Sequence, residues 1–139
     1  MELEERIEAL GVSLADQESG HAEALATARR FGERIHARVE ALLARFHAAV
    51  RERAPQLAIA QSPLRTDDKH LRALEFELAR GRHRAIVTVK SRGEITLVGP
   101  FRTGKTEGPC KSFPLDAEDD IESALGDFLV EFIEEAANP

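Results

Sequence analysis

Between residues 25 and 50 the apolar positions fall at Leu25, Ala28, Phe31, Ile35, Val39, Leu42, Phe46 and Val50. From Ala28 to Val50 the mean step is about 3.7 residues, near the 3.6 of a straight α-helix and away from the 3.5 of a left-handed coiled coil. The stripe predicts a long amphipathic helix lying on a globular core. Ala54-Pro55 ends it, because proline lacks the N–H a helix needs and restricts the residue before it. Upstream, Leu3, Ile7 and Leu10 keep helical spacing and Gly11 stands where a C-terminal cap would. A separate short helix is therefore expected over 2–10, with Ser13 or a residue near Ser19 opening the long one. A helix from Ser13 to Arg53 spans about 60 Å at 1.5 Å per residue. That exceeds the width of a domain with a radius of gyration of about 14 Å. Part of the helix must project, bend or pack against another chain, and packing on a partner chain is the expectation.

Downstream the period changes to two. Leu74, Phe76 and Leu78 alternate with Glu75 and Glu77, which predicts a half-buried strand. Ala85 to Lys90 and Ile95 to Val98 are β-branched runs joined by a short segment containing Gly93, which predicts a β-hairpin. Ala85, Val87 and Val89 share one face, and Ile86, Thr88 and Lys90 the other. Gln56 to Gln61 predicts a further strand, and 62–69 a loop. Ile121, Leu125, Phe128, Leu129, Phe132 and Ile133 form the apolar face of a last helix, with Asp116 as its expected cap and acids in its first turn. The expected fold is α+β: N-terminal helices including one long helix, an antiparallel β-meander of three or four strands, and a C-terminal amphipathic helix packed on the sheet. One domain covers 1–139, as a helical arm (1–55), an antiparallel sheet (56–101), a loop (102–116) and the C-terminal helix (117–137).

Composition narrows the class. With 139 residues, 42% apolar and 32% charged, the chain is expected to be a soluble globular domain. No apolar run approaches the ~20 residues of a membrane span. The start, Met1-Glu-Leu-Glu-Glu, is acidic, unlike a secretory leader. One cysteine, Cys110, excludes an internal disulfide, and a cytoplasmic location is expected.

The net charge of −6 hides a segregation: −6 over residues 1–28, +9 over 29–111 and −9 over 112–139. Acidic and basic segments are expected to face each other within one chain or across a dimer. Arg30, Arg34 and Arg38 stand at i, i+4, i+8 on the long helix and form a basic ridge. It meets either acids of the C-terminal helix or a bound anion, and it is the expected partner-facing surface. An acidic chain disfavours nucleic acid.

Gly99-Pro-Phe-Arg-Thr-Gly104-Lys105-Thr106 matches the phosphate-cradling string G-x-x-x-x-G-K-[ST]. Such a loop must open a helix, and here Glu107-Gly108-Pro109 prevents one from starting. A weaker expectation stands: Arg102, Lys105, Thr106 and Lys111 hold an anion on a long loop from Phe101 to Pro114. Cys110 has no partner base marked by a local signature. Five histidines, at 21, 36, 47, 70 and 83, show no metal-ligand spacing. No catalytic residue, metal or cofactor is expected.

In small acidic composition and amphipathic C-terminal helix the chain resembles the type III secretion chaperones, whose strands, unlike these, are interrupted by a helix. The function expected is a non-catalytic homodimeric protein-binding, adaptor or chaperone-like module. The alternative is a small anion- or nucleotide-binding protein using the Gly99–Thr106 loop.

Overall fold

Two helices cover one face of a single antiparallel sheet, an α+β arrangement. The computed structural model describes residues 2–67, 72–104 and 108–138. Helix α1 runs without a break from Leu3 to Val50, 48 residues, or about 72 Å at 1.5 Å per residue. The expected break at Gly11 is absent: Gly11 and Gly20 are helical, and a Cβ at either would meet nothing within 4 Å. Each costs the helix about 1 kcal/mol relative to alanine. The uninterrupted apolar repeat outweighs that local preference.

A 3-10 turn over Pro55–Leu57 follows, where a strand was expected, and only Ala60–Gln61 (β1) pairs with the sheet. Arg65–Thr66 (β2) pairs within the expected loop. The main strands are Ala73–Arg80 (β3), His83–Lys90 (β4), Glu94–Arg102 (β5) and Cys110–Pro114 (β6). The order is β1-β3-β4-β5-β6, with β2 also on β3. The meander therefore has more strands than expected. The extra strand β6 lies in the segment expected to be a loop, and it pairs Ile95 with Phe113 and Val98 with Cys110. Gly93, at φ +99°, makes the predicted β4–β5 turn.

Alternation decides which face is dry. Leu74, Phe76, Leu78, Ala85, Val87, Val89, Ile95 and Leu97 are buried beneath the helices. Ala28, Phe31, Ile35, Val39 and Leu43 of α1 and Ile121, Leu125, Phe128, Leu129 and Phe132 of α2 (Glu118–Ala137) complete the core. The other face carries charge: Arg84 meets Glu77 at 3.0 Å and Arg65 meets Glu75 at 3.1 Å. Helix α2 begins after Ala117 with no side-chain cap, so Asp116 does not take the role expected of it. Glu118, Asp119 and Asp120 in its first turn act on the helix dipole instead.

Three polar contacts fix the chain that leaves α1. His36 Nε2 donates to the Ser62 carbonyl at 2.8 Å, Gln61 Nε2 donates to the His36 carbonyl at 3.0 Å, and the Ile59 N–H donates to His47 Nε2 at 3.0 Å. The His36 ring also meets Phe76 edge-on, centroids 4.9 Å apart.

Candidate functional site

The sheet supports α1 only from about residue 21 onward; residues 2–20 are exposed all round. On this arm Leu3, Ile7, Leu10 and Leu14 repeat at steps of 4, 3 and 4 and are 65%, 61%, 55% and 50% exposed. The same steps continue through Gln17, His21 and Ala24 to Ala28, Phe31 and Ile35, which are buried on the sheet. One stripe is thus core at one end and bare at the other. Four large apolar side chains in a row on a helix form a contiguous exposed patch, whereas a single exposed leucine would mean little.

A cleft of about 580 Å³ opens where the arm leaves the body. His21, Ala24 and Ala73 form its walls, and Arg72, Lys90 and Arg92 its rim. Nδ1 of His21 is shielded there without a hydrogen-bond partner, 3.7 Å from Glu18. Glu94 lies 3.1 Å from Arg92 and 3.5 Å from Lys90. The Arg92 hydrogen bond holds the Glu94 carboxyl below the usual carboxylate range; partial desolvation opposes it and the charges of Arg92 and Lys90 assist. Among the described residues the lining of the cleft is net basic.

A second cleft, about 440 Å³, lies at the opposite end of the sheet, at the β3–β4 turn. Arg80, Arg82, His83 and Arg102 line it. Arg80 is engaged, donating to the carbonyls of Gln56 (3.0 Å) and Ala136. Arg82 and Arg102 are exposed, and Thr103 reaches the Arg82 carbonyl at 3.1 Å.

The expected site residues are dispersed. Arg102 ends β5, opposite His83. Lys111 sits on β6 beside Leu97, roughly 16 Å back along the strand at about 3.3 Å per residue, so the two do not converge. Lys105 and Thr106 lie outside the described residues. Gly99 is a strand residue at φ +115°, and a Cβ there would come within 3.0 Å of the Arg84 carbonyl, beside an irregularity in the β4–β5 register. This glycine serves close strand packing. The ridge is divided as well. Arg34 lies 3.7 Å and Arg38 2.7 Å from Glu118 and Glu122 of α2, so the C-terminal helix supplies the acids, while Arg30 donates to Thr27 Oγ1 at 3.2 Å.

Sequence reading missed the clefts because each is assembled from segments far apart in the chain. The run Arg80-Gly81-Arg82-His83-Arg84 was the one local signal for the second. Among the described residues no group of three or more His, Cys, Asp or Glu side chains could hold a metal, and no helix is long and apolar enough to cross a membrane. Compared with protein-family models, curated proteins and solved structures, the chain matches none.

Proposed function

We propose that the protein is a non-catalytic homodimeric module of adaptor or chaperone-like kind that binds other proteins, with the projecting N-terminal arm of α1 as its association element. The observation that carries this reading is the bare stripe of Leu3, Ile7, Leu10 and Leu14. Fully burying such a side chain contributes about 1.5–3 kcal/mol, so completing the burial of eight in a dimer contributes on the order of 10 kcal/mol. Association opposes this by about 4–15 kcal/mol. Only the surplus of the first over the second appears as affinity, so the dimer is expected to be weak and readily reversible. Gly11 and Gly20 support the same reading, since a solvated helix carrying two glycines gains from a partner. A cytoplasmic location belongs to this proposal and fits the single exposed, unpaired Cys110.

Light scattering across a concentration series, with Ile7→Asp/Leu10→Asp alongside, tests it. The native chain should pass from one copy to two, and the variant should stay at one with an unchanged circular dichroism signal from the sheet. A native chain that remains a single copy at hundreds of micromolar ends this reading.

A second reading has its own observation. Arg82 and Arg102 face a common cleft with His83, which suits a small anion such as a phosphate ester. It retains Arg102 of the expected anion loop and replaces Lys111 by Arg82. Titration with inorganic pyrophosphate, followed by amide chemical shifts at residues 81–84 and 101–103, tests it; unshifted amides at millimolar ligand remove it.

A further inference from the structure

We infer that two copies of this chain pair their arms antiparallel, so that the acidic tip of each arm enters the basic cleft at the foot of the other. The inference rests on the homodimer proposed above and adds its geometry.

Direction follows from sterics. The arm's apolar stripe continues the stripe that faces the sheet, so a partner helix on it lies on the sheet side of α1. A parallel partner would run on past residue 21 into the space that β3 and β4 fill beneath Ala28, Phe31 and Ile35. An antiparallel partner ends there. Two registers call on no residue the sheet already buries: one pairs Leu3 with Leu14 and Ile7 with Leu10 and leaves the two acidic arms facing only each other, and the other, with an overlap one heptad longer, carries each acidic tip to the basic cleft. Charge selects the second. Leu10 then meets Leu14 of the second copy, Ile7 meets Gln17, and Leu3 meets His21. Each layer joins the two alternate seam positions, as antiparallel helix pairs require. Sliding one heptad further would need Ala28, which is 1% exposed.

Charge agrees with this register. Residues 2–20 carry a net −5. Leu3 of the second copy arrives at the wall formed by His21 and Ala24, which brings Glu2, Glu4 and Glu5 to the rim of Arg72, Lys90 and Arg92. Glu94 already engages two of those cations, and Glu18 stands near the level of the incoming Glu4, so the match is partial. Oppositely charged surfaces steer encounter and fix register more than they add affinity.

Cysteine pairs placed on a Cys110→Ser chain test it. Chains with Leu3→Cys and chains with His21→Cys, one carrying a mass tag, are mixed and mildly oxidised; Leu10→Cys with Leu14→Cys is a second pair that spares His21. The expected product is the mixed covalent dimer in both cases, with none from Leu3→Cys alone. A covalent dimer of Leu3→Cys with itself means parallel arms and overturns the inference, as does a dimer by light scattering that yields no mixed product. In both cases the homodimer proposal stands. A native chain that is monomeric before oxidation, or a dimer that persists in Ile7→Asp/Leu10→Asp, overturns both and leaves the arm to a different protein. Arg72→Glu/Arg92→Glu should weaken dimerisation about tenfold or more, and Glu4→Arg/Glu5→Arg on the second chain should restore it.

Discussion

The Nε2 atom of His47, near the end of α1, accepts the backbone N–H of Ile59 at 3.0 Å. Ile59 is 5% exposed, so its amide has little access to water. The bond joins the helix to the segment that enters the sheet. His47→Ala leaves that donor unsatisfied and should cost about 1–3 kcal/mol. Urea unfolding should show a lower midpoint with an unchanged slope.

Gly99 and Gly104 belong to one motif-like string but face different constraints. Both have positive φ, yet a Cβ on Gly99 meets the Arg84 carbonyl at 3.0 Å, whereas one on Gly104 meets nothing within 4 Å. Gly99→Ala should therefore cost about 2–4 kcal/mol, adding overpacking to strain. Gly104→Ala should cost about 1 kcal/mol from the strain alone. Thermal melts of the two variants side by side check the order.

Gly126 lies inside α2 with open space around its Cβ position and an ordinary helical backbone. Gly126→Ala should stabilise the fold by about 0.5–1 kcal/mol, since alanine loses less backbone entropy in a helix. Calorimetry should record a melting temperature raised by a few degrees.

Arg38 gives both Nε and Nη2 to one oxygen of Glu122, at 2.9 and 2.7 Å. Both side chains are about half exposed, so solvent screens the pair. Arg38→Ala should cost no more than about 1 kcal/mol. A double-mutant cycle with Glu122→Ala should give a coupling that shrinks as salt is raised.

The part of the fold that was legible is the part governed by a clean period. Alternation over Leu74–Leu78 and Ala85–Lys90 identified β3 and β4 and grouped Ala85, Val87 and Val89 on one face, which the structure buries. The charge blocks showed that acids and bases would meet, and Arg34 and Arg38 do meet the acids of α2. Other elements have no local signal. β1 and β2 are two residues each, too short to show a period, and β6 forms because β5 offers an edge to pair with. Gly11 misled because glycine ends helices only where the flanking pattern ends as well, and here Leu14 carries the stripe on. The clefts were illegible for a different reason: His21 and Arg92, or Arg80 and Arg102, become neighbours only after the chain has folded.

The stripe of α1 also has a rotational meaning. Because the sheet grips Ala28, Phe31 and Ile35, it sets the angle at which Leu3, Ile7, Leu10 and Leu14 point, far beyond its own edge. Each residue turns the helix by about 100°. Removing one residue between Gln17 and Ala24 would leave the core intact and swing the whole apolar face away from its present direction. Removing seven would restore the direction and shorten the arm by about 10 Å. The arm therefore keeps its direction only when its length changes by close to whole turns, such as about 7, 11 or 18 residues, with its phase set by a body it hardly touches.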